Sequence, residues 1–146
     1  MKKISFRLAA CAVIVCAFVV SLACFLPSTA RRRVFVFPSV TSGDRVVEAR
    51  YVTRRPVQGN IPLFVDELLL GPQSRRARPL FALGTRAEFC FLRGKTLYLG
   101  LSKEVLAADA VADDMLGDIA LFKENIRKNF SRLDNIVLFI DGKYVE

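Results

Sequence analysis

The sequence predicts an α+β domain that follows an apolar amino-terminal segment. Short runs rich in β-branched and aromatic residues alternate with two stretches in which apolar residues recur at helical spacing. Turns that contain glycine or proline separate these runs, and no internal repeat is visible. The order β-β-α-β-β-α-β predicts a small mixed or antiparallel sheet with two helices packed on one face. A chain of 146 residues has room for one such domain.

Residues 1–33 are predicted to form a signal anchor or signal peptide with basic flanks. Lys2, Lys3 and Arg7 precede an uncharged apolar run at 8–26. The length of this run approaches that of a bilayer crossing and exceeds the apolar region of most cleaved signal peptides. The run therefore favours a retained single-pass anchor.

Two alternatives to a retained anchor stay open. Small residues before Ala30 would allow cleavage after it, which would release the domain. The letters at 21–24 resemble a lipoprotein box in which Cys24 would be lipidated, although Ser21 and Leu22 depart from the usual pattern. Orientation cannot be read from charge, because basic residues flank the run on both sides.

The folded part, residues 34–146, begins with two predicted strands, 34–37 and 46–53, joined by a glycine-containing turn. A helix is predicted over 61–70, where apolar residues fall on one stripe. The members of that stripe are Ile61, Phe64, Val65, Leu68 and Leu69. Asn60 is a candidate amino-terminal cap, and Gly71-Pro72 supplies a stop.

The second half is predicted to contain three strands and a longer helix. Strands are predicted at 88–92 and 96–101, joined by a tight turn at Gly94. In the second of these strands leucines alternate with other residues, as expected of a strand with one buried face; the leucines are Leu97, Leu99 and Leu101. A longer helix is predicted over 109–130, with acidic residues at its start and basic residues at its end. A last strand, 135–140, runs into the Asp141-Gly142 turn.

The composition excludes several kinds of site. The sequence contains no histidine, which removes the commonest zinc ligand and every Ser-His or Cys-His arrangement. Cys90 is the single cysteine of the predicted domain and lies in an apolar string, as a buried small side chain would. We expect no metal, cofactor or intrachain disulfide there.

Charge is distributed unevenly along the chain. Residues 31–95 carry thirteen basic and five acidic side chains, whereas residues 96–146 carry six basic and nine acidic ones. Such asymmetry predicts contact with an anionic surface or an acidic partner. The candidate contact residues are Arg31, Arg32, Arg33, Arg75, Arg76 and Arg78. The acidic cluster Asp109, Asp113, Asp114 and Asp118 lacks the spacing of a calcium loop and is interpreted as complementing the helix dipole.

Several short motifs resemble the GerMN domain family over about residues 34–145. The first predicted helix ends in the letters DELLLGP at 66–72, similar to the family's ELL-GP ending. LGT at 83–85 and the hairpin RGKTLYLGLS at 93–102 resemble its PxGT and DGxxxVDLS stretches. The closing letters at 139–143, FIDGK, are similar to its xVDG. Leu83 and Gly100 depart from the family pattern.

The resemblance implies a non-enzymatic module outside the cytoplasm, held at the membrane or lipidated. Its expected partners are the membrane and envelope proteins or peptidoglycan, together with further copies of itself. It supplies no catalytic residues, and Asp141 is interpreted as a turn residue.

Two alternative functions were weighed. A glycan hydrolase would need a pair of carboxylates, for which Glu67, Glu88, Glu104 and Asp141 are candidates that nothing in the sequence pairs. A nucleic-acid platform would use Phe35, Phe37, Phe89 and Phe91 to stack bases. No ribonucleoprotein signature accompanies these rings and an export segment precedes them, so we expect no nucleic-acid partner.

Overall fold

The computed structural model describes most of the chain. Its backbone is described over residues 2–25, 30–41, 43–54, 56–107 and 114–145, and within the first helix the side chains are described over 9–22. The elements are α1 (Lys2–Phe25), β1 (Ala30–Pro38), β2 (Arg45–Thr53), α2 (Asn60–Leu69), β3 (Ala87–Arg93), β4 (Thr96–Leu101), a short 3₁₀ helix (Lys103–Leu106), α3 (Met115–Asn129), β5 (Asn135–Ile140) and β6 (Lys143–Val145).

The strands form two sheets. β1 and β2 make an antiparallel pair, and the other four strands form a sheet in the order β3-β4-β5-β6. β4 and β5 run parallel, whereas the two outer pairs of this sheet are antiparallel. The predicted α+β class and element order are therefore confirmed, with a mixed sheet. The prediction had a single sheet, whereas the structure divides the strands into a two-stranded sheet and a four-stranded sheet.

The amino-terminal helix α1 exposes the large apolar side chains that are described in it, from Val13 to Leu22. Of the helices in the described part of the chain, none combines the length and the apolar character needed to cross a membrane. β1 begins at Ala30, so residues 30–33, which the sequence analysis placed in the leading segment, are part of the first hairpin.

The first helix of the domain, α2, matches its predicted range to within one residue at each end. Gly71, with φ 85°, follows it in the left-handed region and ends it as expected. The expectation that Asn60 caps the helix is wrong. Gly59 occupies the cap position and no side chain caps the first turn, because the helix already includes Asn60.

The second helix of the domain, α3, begins at Met115, and Asp114 caps it through an Oδ1 that accepts from the Gly117 amide at 2.8 Å. The predicted start at Asp109 falls on residues 108–113, which lie outside the described residues. Asp109 and Asp113 therefore have no described place in this helix. Its predicted apolar stripe is confirmed, with Ile119, Phe122 and Ile126 buried.

The core lies between the inner face of the four-stranded sheet, the two helices of the domain and β1. β4 contributes Leu97, Leu99 and Leu101, all of them fully buried, which confirms the predicted alternation. The ring of Phe35 stacks on that of Phe64 with centroids 4.6 Å apart, which packs β1 against α2.

Two asparagines of α3 hold the free edge of β1. Asn125 accepts from the Val36 amide at 2.7 Å and donates to the Val36 carbonyl at 2.8 Å. Asn129 does the same for Val34, at 3.2 and 2.7 Å. These two amide groups supply the hydrogen bonds that a neighbouring strand would otherwise give, so the hairpin is fastened to the helix.

Arg50 of β2 fastens the other side of the hairpin. Its side chain is buried and donates to the Glu48 carboxylate and to the Gly71 carbonyl, at 2.8 and 2.6 Å. Burial alone would raise the pKa of Glu48. Hydrogen bonds from Arg50 and from the amides of Gln73 and Ser74 outweigh it and hold that pKa below its usual value. The pair thereby joins β2 to the end of α2 and to the segment that follows the helix, residues 73–84, here called the connector.

We predict that Asn125→Ala lowers the free energy of unfolding by about 2–4 kcal/mol, because it leaves the Val36 amide and carbonyl buried without partners. Chemical denaturation measures the change. Asn60→Ala is the matched control, since Asn60 is exposed and should give a loss of less than about 0.5 kcal/mol. Equal losses in the two variants would contradict the role given to Asn125.

Candidate interaction surfaces

The three arginines at the start of β1 have different surroundings. Arg31 and Arg32 are exposed on β1, whereas Arg33 is 5% exposed. The Arg33 Nη1 donates to the Asn129 carbonyl at 2.7 Å, and the guanidinium lies 4.2 Å from the centre of the Phe130 ring. Burial, and then the charge of Arg31, lower the pKa of Arg33. Arg33 thus serves the fold, and a surface role stays a prediction for Arg31 and Arg32.

The three arginines of the connector also differ in their exposure and contacts. Arg75 and Arg76 are exposed, but Arg78 forms a two-pronged ion pair with Asp118 of α3, at 2.7 and 3.1 Å. Asp118 is 3% exposed, so this pair is a structural contact between the connector and the helix. Two of the three predicted residues therefore remain available to a ligand.

Of the two cysteines discussed in the sequence analysis, Cys24 and Cys90, the structure describes the surroundings of Cys90 alone. The side chain of Cys24, the predicted lipidation residue, lies outside the described residues. Cys90 is half-buried, and burial, followed by the charge of Asp66, raises the pKa of its thiol to about 11. The Cys90 thiol therefore stays protonated at neutral pH, as expected for a packing residue.

The candidate carboxylates occupy structural positions. Glu67 Oε2 lies 3.7 Å from Arg50 Nη1, and Asp141 adopts φ 49° in the turn between β5 and β6, which fits its interpretation as a turn residue. A hydrogen bond from Ser102 lowers the pKa of Glu104, the opposite of what a general acid needs. Glu88 is exposed on β3. Within the described residues no three metal-binding side chains come together.

The outer face of the four-stranded sheet carries a row of aromatic rings, here called the aromatic face. Its members are Phe89, Phe91, Tyr98, Phe139 and Tyr144. Neighbouring ring centroids lie 5.3–6.0 Å apart, and the planes of Phe91 and Tyr98 are 8° from parallel. Phe91 is 53% exposed and Tyr144 is 60% exposed, so the described residues leave the face open to solvent.

Strand pairing explains why these rings meet. Phe89 faces Gly100 across β3 and β4, and Gly100 faces Phe139 across β4 and β5. The Phe89 ring lies over the glycine, where an added Cβ would come within 2.2 Å of it. A side chain at position 100 would separate the rings. Gly100, noted in the sequence as a departure from the family pattern, is therefore the residue that allows the rings of Phe89 and Phe139 to approach each other.

The phenylalanines weighed as a nucleic-acid platform do not act together. Phe35 and Phe37 are fully buried in the core, whereas Phe89 and Phe91 lie on the aromatic face. All four lie in apolar strings, which predict burial in the core, and this prediction is wrong for Phe89 and Phe91. The apolar strings around the two pairs are similar. The pairing of β3 with β4 places Phe89 and Phe91 on the outer face of the sheet, and no local sequence pattern reveals this pairing.

A second surface is a groove of about 1240 Å³ beside β1. Arg31, Lys95 and Arg132 line it with exposed side chains, and Leu97, Phe130 and Leu133 line it with buried or half-buried apolar ones. Asp134 also lines it and pairs with Lys95 at 3.2 Å. We call this the basic groove. Sequence reasoning identified Arg31 but missed Lys95 and Arg132, which lie far from it along the chain.

No protein-family model and no curated protein sequence matches the chain, but solved structures do. The first GerMN domain of the sporulation protein GerM from Bacillus subtilis matches with a TM-score of 0.62 and 14% identity, over 79% of this chain and 86% of that one. The tandem GerMN domains of the same protein match with a TM-score of 0.60 and 15% identity, over 80% of this chain but only 41% of that one.

A candidate lipoprotein from Clostridium perfringens matches with a TM-score of 0.51 and 14% identity, over 80% of this chain and 78% of that one. At such low identities these likenesses concern the fold. They show that the domain has a GerMN-like fold, which confirms the resemblance predicted from the motifs.

We predict that Gly100→Ala lowers the free energy of unfolding by about 1–3 kcal/mol, because the new methyl group collides with the Phe89 ring. In a Phe89→Ala background the same change should cost less than about 0.5 kcal/mol, since the ring is gone. Denaturation of the wild type, the two single variants and the double variant measures the coupling. A Gly100→Ala cost that is unchanged without Phe89 would overturn this account.

Proposed function

We propose that this GerMN-like domain is a non-enzymatic interaction module of the cell envelope, which acts by protein–protein contact through its aromatic face. The observation that carries the proposal is the open row of rings on a sheet of this fold. A contiguous apolar patch of this kind is typical of an interaction site, because it is unfavourable to leave such a patch in water. Aromatic side chains also supply much of the binding energy in protein interfaces.

The occupant that we propose for the aromatic face is a second copy of the chain. The protein carries a net charge of +8, so two copies repel one another over most approaches. The rings themselves are uncharged, so contact through them adds no like-charge repulsion of its own. The tandem structure of GerM contains two GerMN domains in one chain. The described part of this chain contains one such domain, and we propose that another copy of the chain supplies the second.

We propose an envelope location, with the domain outside the cytoplasm. Its support is the apolar amino-terminal segment together with the names of the similar proteins, a sporulation protein and a candidate lipoprotein. In this proposal the apolar amino-terminal segment that contains α1 directs export and keeps the domain at the membrane, although α1 over its described residues does not have the length and apolar character of a membrane span. Lipidation at Cys24 and release after Ala30 are the two alternatives.

The location is tested by the mass of the mature protein and by protease accessibility in intact cells. We expect the full-length mass and digestion by protease added outside. A mass gain with loss of the residues before Cys24 would indicate a lipoprotein, and a chain beginning at Arg31 would indicate release. A domain that is protected until the cells are lysed would contradict the outside location.

Self-association is tested with two ring variants, Phe91→Ser and Tyr144→Ser. Each removes an exposed ring of the aromatic face, and we expect at least about a tenfold weaker association, which corresponds to about 1.4 kcal/mol. Sedimentation equilibrium of the full chain in a neutral detergent measures it. Neither side chain belongs to the core, so both variants should fold.

The matched control is Tyr51→Ser, which removes a ring that is 74% exposed from β2, away from the aromatic face. Association should be unaffected by this change. A wild-type chain that stays monomeric at high concentration would exclude the second copy as occupant. Capture of peptidoglycan fragments that depends on Phe91 and Tyr144 would replace the proposed contact between copies with a cell-wall contact.

A further inference from the structure

The basic groove combines features that suit a charged head group and an apolar tail. Four cationic side chains and one carboxylate line it, namely Arg31, Arg33, Lys95, Arg132 and Asp134. Within the described residues, neither the Arg31 side chain nor the Arg132 side chain makes an ion pair or a hydrogen bond. Two cations of the groove are therefore left to solvent or to a ligand.

The positive charge is concentrated at one place. Arg31 and Arg33 lie on the same side of β1, two residues apart, and the charge of Arg31 contributes to the lowered pKa of Arg33. An anion between the cations of the groove would relieve this repulsion. The first turn of α2 also lines the groove and has no capping side chain, so its amides add to the positive field.

The inner wall is apolar. Leu97 is fully buried beneath the groove, and Cys90, Leu92, Phe130 and Leu133 complete this wall. A free inorganic anion would use only the cations and leave these side chains in water. An amphiphile would use both parts, because its charged group can pair with the arginines while its carbon chain covers the wall.

The covalent chain places the groove near the apolar helix. Phe25 ends α1 and Ala30 begins β1, so their Cα atoms are at most about 18 Å apart. Arg31, the next residue, already lines the groove. If α1 lies at a membrane, as proposed above, the groove lies within reach of the head groups.

From these observations we infer that the basic groove binds the phosphate group and adjoining acyl chain of an anionic phospholipid. Arg31 and Arg132 pair with the phosphate oxygens, Lys95 adds charge beside them, and the apolar wall receives the first carbons of the chain. The inference rests on the proposed envelope location and adds a ligand to it. It is independent of the aromatic face, which uses the alternate residues of β3.

The test uses the full chain in a neutral detergent, titrated by calorimetry with dihexanoylphosphatidylglycerol. We expect saturable binding, at least about tenfold tighter than that of dihexanoylphosphatidylcholine, which has no net charge, or of glycerol phosphate, which has no acyl chains. Absence of saturable binding would overturn the inference. Equal affinity for glycerol phosphate would identify an anion site without a lipid specificity and would also overturn it.

Two double variants that lose the same charge distinguish specific binding in the basic groove from nonspecific electrostatic attraction. Arg31→Gln with Arg132→Gln should weaken binding at least about tenfold, because it removes the two cations that have no other partner. Arg75→Gln with Arg76→Gln removes two exposed arginines that do not line the groove, and binding should change by less than about twofold. Equal weakening in both would show nonspecific attraction and reject the site.

A third variant guards against misfolding. Lys95→Gln keeps β1 intact and should weaken binding about threefold, because Lys95 shares its charge with Asp134. Thermal denaturation of each variant checks that the domain is folded. Self-association through the aromatic face is measured in a separate experiment. Failure of lipid binding would therefore leave the proposed contact between copies intact, and failure of self-association would leave the lipid site intact.

Discussion

The hydrogen bonds between α3 and the first hairpin are the constraint on which the rest of the domain depends. β1 has a partner strand on one side only, and its other edge lies against a helix. Asn125 and Asn129 are four residues apart, one helical turn, and this spacing matches alternate residues of a strand closely enough to serve Val34 and Val36. With the edge satisfied, Phe35 and Phe37 can be buried between the helices without leaving their backbone unpaired.

The two surfaces follow from this arrangement. Because the hairpin and both helices cover one face of the four-stranded sheet, the other face is left to the rings. Because β1 runs past the end of α3, Arg31 and Arg132 come to line the same groove. The alternation of β3 divides its side chains between the two surfaces, with Phe89 and Phe91 on one and Cys90 and Leu92 on the other.

Local patterns predicted most of the elements, and the reasons are physical. The stripe of α2 and the alternation of β4 are set by neighbours in sequence, and both were placed within a residue of their positions. The parallel pairing of β4 with β5 and the separation of the hairpin from the main sheet depend on contacts through space. The surroundings of each arginine also depend on contacts through space. Arg33, Arg50 and Arg78 make contacts within the fold, whereas Arg31 and Arg75 are exposed. The local sequence does not distinguish these two groups of arginines.

The long-range position of these contacts also decides when the domain can fold. Val36 and its partner Asn125 are 89 positions apart, and the strand that pairs with β4 comes later still. A chain leaving the ribosome has no partner for the edge of β1 until α3 has been made. Folding of the domain therefore waits until α3 and β5 have been synthesised. Under the export proposed above, this delay would keep the domain extended during passage through a membrane channel and let it fold on arrival.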